Sequence, residues 1–305
     1  MRTPPARDAS VVICSRDRPQ LLLDTVRSVL EGDAVPAEVV VVDQSDSPVV
    51  ELASMRAVRN CVVRYLHCRE SGLSRARNIG LRAAACDIAI LIDDDMLVEA
   101  SWLAALLDGL PEGSHCVATG RVLPAAEEGR GGSIPPAALV TRDTPAIYRG
   151  PQPMDVVPGA NVALRREFVL ALGGYDERLG AGTRFGSADD NDIGHRLLLA
   201  GAEVHHVPGA VVLHRAWRPR GELVGLRWRY GRGKGAFYAK HAGLRDRRLL
   251  QRAANDVAGR LRRAARVALR NPRSAAGDLL TVAGIASGAL DWLLRERLAG
   301  TLRRR

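Results

Sequence analysis

Apolar residues along the first two-thirds of the chain fall into short unbroken runs separated by stretches of helical spacing. Val11-Val12-Ile13-Cys14, Val39-Val40-Val41-Val42 and Ile88-Ala89-Ile90-Leu91-Ile92 are too short for core helices and rich in β-branched residues, so they read as buried strands. Val62-Val63-Arg64-Tyr65-Leu66 is a weaker strand of the same kind. Leu22, Val26, Val29 and Leu30 recur at helical spacing from Gln20, with Pro19 at the first turn, where a helix tolerates it. Residues 73–85 form a second helix, which carries Arg75, Arg77 and Asn78 into the 88–92 strand. Strand and helix in strict alternation predict a doubly wound, mainly parallel sheet.

Further along, Ser101 to Leu110 reads as a helix closed by Pro111. Residues 124–153 are rich in Pro, Gly and Ala without a period and are expected to form a mobile loop or lid. Order returns at Val156–Leu164, and Gly173-Gly174-Tyr175-Asp176 is a turn. Asp189-Asp190-Asn191-Asp192 opens a helix through Leu199, its carboxylates suited to the positive helix end. Val211-Val212-Leu213 is a last short strand ending at His214. Beyond Arg215, Leu250, Ala254, Val257, Leu261, Ala264 and Ala268 keep helical spacing among five arginines, a basic amphipathic helix ended by Asn271-Pro272. A second apolar helix, roughly 275–298, is interrupted by Asp278 and Asp291 and is expected to lie on something rather than to cross it.

Composition (47% hydrophobic, 26% charged) is globular, and 305 residues bury a sizeable core. The net charge of +10 is unevenly placed: residues 1–215 carry 22 Lys/Arg against 28 Asp/Glu, and residues 216–305 carry 22 against 6. An acidic front and a basic tail imply two surfaces with different partners. Five cysteines without metal-binding spacing read as reduced, mostly buried thiols. Met1-Arg2-Thr3-Pro4-Pro5 lacks the apolar core of a secretory signal, so a cytoplasmic location is expected, with peripheral association at the inner face of the cell membrane as an extension.

Four polar clusters follow buried strands: Ser15/Arg16, Asp43/Asp46, Asp93-Asp94-Asp95 and His214. Doubly wound sheets gather such strand ends on one rim. Three adjacent carboxylates repel one another, so a cation or strong donors are expected to meet them there; hard oxygen ligands suit Mg²⁺ or Mn²⁺ and a phosphate-bearing substrate. The plain alternative is a solvated acidic turn. No GxGxxG follows the first strand, so nothing supports a dinucleotide fold.

At residues 10–215 the ordered motifs resemble the family 2, inverting glycosyltransferases of GT-A fold. Val12–Pro19 is similar to their first-strand nucleotide motif, with Cys14 where Thr or Pro is usual, and Val41-Val42-Asp43-Gln44-Ser45 to "VVDxS". Gly72–Gly80 resembles "GLSxARNxG", Asp93–Asp95 takes the DxD position, and Gly159-Ala160-Asn161 and Gly173–Asp176 resemble the acceptor-side motifs. Asp189–Asp192 falls where the family has "EDxD", with Asp for Glu. The resemblance implies a GT-A (nucleotide-diphospho-sugar transferase) α/β fold, a doubly wound mixed sheet with a C-terminal basic helical extension. It divides the chain into a catalytic domain, 1–215 (nucleotide half about 10–120, acceptor half about 155–215), and a tail, 216–305.

By position, the resemblance makes Asp190 the catalytic base and assigns Ser15, Arg16, Asp43, Arg77 and Asp93 to the nucleotide donor. Asp95 and His214 would hold a divalent cation, and Gly159, Asn161 and Asp189 would face the acceptor. Each has a plainer alternative: Asp190 as a helix N-terminal carboxylate, Arg77 as a solvated helix arginine, His214 as a structural histidine. His205 and His206 are read as structural. The implied activity is metal-assisted, inverting sugar transfer from a nucleotide diphosphate to a saccharide, lipid-linked or other hydroxyl acceptor, as in cell-envelope or other glycoconjugate synthesis. A non-catalytic nucleotide- or glycan-binding relative and a nucleotidyltransferase are the alternatives; the latter's glycine-rich first loop is absent. The tail fits an anionic membrane surface first, a helical cap second and nucleic acid last, since no binding module accompanies its charge.

Overall fold

A computed structural model describes residues 6–127, 139–215, 217–242 and 247–297. In chain order the first half holds β1 (Ala6–Ser15), α1 (Pro19–Glu31), β2 (Val35–Asp43), α2 (Val50–Ser54), β3 (Ala57–Val58), β4 (Cys61–His67), α3 (Leu73–Ala83), β5 (Ile88–Asp93), β6 (Met96–Val98) and α4 (Trp102–Asp108). There follow β7 (Cys116–Pro124), β8 (Ala146–Arg149), β9 (Val162–Arg165), α5 (Arg166–Ala171), α6 (Asp189–Leu199) and β10 (Glu203–His214). Three long helices close the described chain: α7 (Leu223–His241), α8 (Arg247–Val267) and α9 (Pro272–Trp292).

The strands make one sheet in the order β3-β4-β2-β1-β5-β9-β7-β10-β6, with β8 also on β10. β4, β2, β1 and β5 run parallel; β9 is antiparallel between β5 and β7, which makes the sheet mixed. Both faces are covered, which is why the strands read as unbroken apolar runs. Successive residues alternate between the faces: Val11, Ile13, Val39, Val41, Ile90 and Ile92 pack with α1 and α4, while Val12, Cys14, Val40, Val42, Ala89 and Leu91 pack with α3, α5 and α6. α3 lies so close to β1 that a Cβ at Gly80 would sit 2.3 Å from Val12 Cγ1, so only glycine fits there.

Register brings the polar strand ends into one row. Cys14 lies opposite both Val42 and Asp93, and Ser15 opposite Asp43. β10 runs parallel to β7 and delivers His214 to the same rim, opposite Met96.

Three sequence expectations need correction. The last strand spans 203–214, not only 211–213; its first part, paired to β7 and β8, is hidden in the sequence because it is polar, with His205 on Glu203 and His206 on the Arg142 carbonyl. Within 124–153, residues 146–149 are a strand on β10, and 128–138 lie outside the described residues. Third, α7 has no counterpart in the apolar pattern. It packs against α9 through facing glycines: a Cβ at Gly235 would lie 2.0 Å from Ile285 O, and one at Gly288 2.0 Å from Arg232 O. The five cysteines are free; burial pushes the Cys14 and Cys61 thiols up to about 12.

Candidate active site

At the carboxyl end of β5 the acidic triplet is met by donors from β1, α1 and the turn between them. Ser15 Oγ donates to Asp94 Oδ2 at 2.7 Å, Thr25 Oγ1 to the Asp94 carbonyl at 2.8 Å, and Arg18 Nη1 bridges Asp94 Oδ1 (3.1 Å) and Asp95 Oδ2 (3.0 Å). Burial pushes the Asp94 carboxyl up to about 6; Arg18 opposes this and the neighbouring Asp95 and Asp93 reinforce it. Burial acts in the same sense on Asp95, yet the hydrogen bond and charge of His214, with Arg18, hold it below the usual carboxylate range.

His214 Nε2 lies 3.3 Å from Asp95 Oδ1, and both side chains are nearly buried. Two donors of one octahedral Mg²⁺ or Mn²⁺ sit about 3 Å apart, so this pair suits a hard divalent cation. Among the described residues no group of three or more His, Cys, Asp or Glu side chains is arranged to hold a metal. A cation held by this pair would need its remaining ligands from substrate oxygens and water, the usual habit of Mg²⁺.

Arg77 joins this rim to α6. Its guanidinium is buried; Nη2 donates to Asp93 Oδ1 (2.9 Å) and to the Gly159 carbonyl (2.5 Å), Nη1 donates to Asp189 Oδ2, and the group stacks over Tyr175 at 5.3 Å. Burial disfavours its charge, but Asp189 and Asp93 more than compensate and raise its pKa. Asp190 follows Asp189 in the first turn of α6, where Ala188 enters with the left-handed φ of 72°. Burial, then the charges of Asp189 and Asp155, push the Asp190 carboxyl up to about 7, against the pull of Lys234. A Cβ at Gly159 would lie 3.6 Å from Asp190 Oδ2 and 3.7 Å from Arg77 Nη2, so the absent side chain leaves an approach to that carboxylate.

The rim thus gathers Ser15, Asp93, Asp95, His214, Arg77, Asp189, Asp190 and Gly159. Three sequence-derived candidates stand elsewhere. Arg16 is half-exposed and pairs with its neighbour Asp17 (3.3 Å); the arginine that reaches the triplet is Arg18, set at the start of α1 by Pro19. Asp43 is fully buried and accepts from Ser45 N (2.9 Å), Ser45 Oγ and Tyr65 OH, so it ties β2 to β4. Asn161 is a core knot with φ 61°: Nδ2 donates to the carbonyls of Arg121 (2.8 Å) and Ala210 (2.9 Å), and Oδ1 accepts from Trp102 Nε1 (2.7 Å). It holds β9 in place behind Gly159 and faces no acceptor. Asp192 also turns inward, fully buried between Arg196, Lys240 and His241, and so fastens α6 to α7.

Sequence reasoning missed Arg18, Asp155 and α7. Asp155 accepts from Lys234 (2.5 Å) and from Arg252, which brings two tail helices to the segment just before Gly159.

Mixed sheet, acidic strand end and antiparallel β9 define the GT-A fold, and solved structures share it. A mannosyltransferase from Pyrobaculum calidifontis, solved with GDP-Man and Mn²⁺, superposes with TM-score 0.55 at 16% identity over 98% of this chain and 81% of its own. GalNAc-T7, solved with UDP, GalNAc and Mn²⁺, gives 0.54 at 22% over 76% and 49%. Residues 10–170 match the sequence profile of glycosyl transferase family 2, and the chain belongs to that family. It is 29% identical to the pre-mycofactocin glycosyltransferase of Mycobacterium tuberculosis over 69% of this chain and 43% of the relative. It is likewise 29% identical to a glucosyl-dolichyl phosphate glucuronosyltransferase of Haloferax volcanii over 56% of each. The chain thus spans roughly half the length of the curated relatives it matches.

Proposed function

We propose that the protein is an inverting glycosyltransferase that moves a sugar from a nucleotide-diphosphate donor to an acceptor hydroxyl. The observation that carries this is the convergence of Asp190, Gly159 and Arg77 beside the Asp93–Asp95 strand end, with the Asp190 carboxyl raised to about 7. A base poised near neutrality is the requirement of proton removal from a hydroxyl.

Asp190 takes the acceptor proton as the acceptor oxygen bonds to the anomeric carbon from one face. The bond from that carbon to the diphosphate oxygen breaks on the other, and the leaving nucleoside diphosphate keeps the electron pair. Asp95 and His214 would hold a divalent cation, Mn²⁺ or Mg²⁺, which supplies Lewis-acid stabilisation of the leaving diphosphate. Arg18, part-exposed above the triplet, is placed to contact the phosphates, and Ser15 fixes Asp94 beneath it. Arg77 orients Asp93 toward the donor and Asp189 beside the base.

Residues 1–215 form the catalytic unit in this reading. The acceptor is a saccharide, a lipid-linked sugar or another hydroxyl of a glycoconjugate, reached from the cytoplasmic face, with the basic tail peripheral to the membrane. A non-catalytic sugar-binding relative would have no need of a carboxylate held near pKa 7 beside an open glycine. Titration calorimetry with UDP-, GDP- and dTDP-sugars, with and without Mn²⁺, tests the reading. Mn²⁺-dependent binding of at least one donor is expected, and failure of every donor to bind the folded protein contradicts it.

A further inference from the structure

The helix α9 and the turn after it are apolar enough to cross a membrane by length and composition (Pro272–Arg295, mean hydropathy 1.2 over 18 residues), yet only 33% of that window is buried. The buried side faces α7 and the loop before α6 through Thr281, Gly284, Ile285, Gly288 and Trp292. The other side is open. Ala276, Leu279, Ala283, Ala286 and Leu290 recur at intervals of three and four and are all exposed, Leu279 at 51% and Leu290 at 58%. The stripe continues into Leu293 and Leu294 and is about 27 Å long at 1.5 Å per residue.

Among the described residues of α9 no acidic side chain is exposed on this face. Both α9 carboxylates are committed inward: Asp278 is fully buried and accepts from Arg263 (2.6 and 2.9 Å) and Arg227 (3.3 Å), and Asp291 accepts from Arg184 (2.6 and 2.8 Å) and Arg232 (2.5 Å). Exposed arginines stand at both ends instead, Arg270 and Arg273 before the stripe and Arg295, which also lies 3.2 Å from Asp291 Oδ1, after it. Leu269 at the α8–α9 turn is fully exposed among them.

We propose that this face of α9, with the α8–α9 turn, is the surface by which the protein lies on an anionic lipid bilayer, its leucines in the headgroup boundary and its terminal arginines on lipid phosphates. This deepens the peripheral reading of the tail and rests on it, but not on the transferase reading. The helix lies in the interface and does not cross it: crossing would draw Asp278 and Asp291 into hydrocarbon and strip α9 from its glycine contacts with α7. A second copy of the chain fits less well. Pairing two such stripes in either direction brings arginine ends together, within tails that each carry 22 basic against 6 acidic residues.

Co-sedimentation of the full chain with phosphatidylcholine vesicles, with and without phosphatidylglycerol, tests the proposal. Binding is expected only with the anionic lipid and falls as salt rises. Leu279→Asp with Leu290→Asp is expected to weaken it at least about tenfold, with melting temperature unchanged because both side chains are exposed. Binding by the wild type that this double variant leaves intact overturns the α9 face while the peripheral reading survives. No binding by the wild type overturns both. A wild-type dimer in sedimentation velocity that the double variant converts to monomer, without vesicle binding, assigns the stripe to a second copy instead.

Discussion

Arg77 Nη2 donates to Asp93 Oδ1 at 2.9 Å, while its sister nitrogen donates to Asp189 at the start of α6. One buried guanidinium therefore fixes the spacing between the donor rim and the helix that carries Asp190. Arg77→Ala leaves the buried Asp189 and the part-exposed Asp93 without their partner and is expected to cost about 3 kcal/mol. Arg77→Lys restores the charge but not the planar fork, so it recovers only part. Chemical denaturation measures both, and a change under about 1 kcal/mol for Arg77→Ala speaks against the bridge.

The Asp190 carboxyl, raised to about 7, accepts a proton only above that pH, so the rate of sugar transfer is expected to rise with pH through about 7 and then level. Asp155 is one of the charges that hold it up, and Lys234, which Asp155 engages, pulls it down. Asp155→Asn removes the first and frees the second, so the acidic limb moves to lower pH. A limb that moves to higher pH, or stays put, contradicts this assignment.

Asn161 carries three side-chain hydrogen bonds at full burial. Asn161→Ala orphans the Trp102 indole and two carbonyls and is expected to destabilise by on the order of 3 kcal/mol. Donor affinity in the protein that remains folded is expected to be unchanged. Selective loss of sugar transfer with stability intact would return Asn161 to the acceptor side.

Asp95→Asn and His214→Ala are each expected to remove the Mn²⁺ dependence of donor binding. Calorimetry with and without the ion reads this directly, and a dependence that survives both changes places the metal elsewhere.

The parallel core was legible because strands buried on both faces must be apolar throughout, and the acidic ends of β2 and β5 followed from the same runs. What stayed hidden depends on contacts between distant residues. Arg16 and Arg18 are equivalent as letters; only the start of α1 at Pro19 decides which one turns to Asp94. Asp43 fits its motif, but Tyr65 on β4 closes over it. α7 escaped notice because it packs on α9 on one side and on the α6 loop on another, so no single apolar stripe remains, and glycines, poor helix formers, make both contacts. At Gly233 a Cβ would lie 2.1 Å from Ser187 Oγ, just before the helix that carries Asp190.

Asp190 is proposed to remove the acceptor proton. Once calorimetry has named the donor, transfer of its sugar to water or to a supplied acceptor is compared between the wild type and Asp190→Asn. A rate lower by about 10²–10⁴-fold is expected, with donor and Mn²⁺ affinity little changed because Asp190 is not among the residues assigned to either. Transfer within severalfold of wild type would contradict it and leave Asp190 as a helix-end carboxylate.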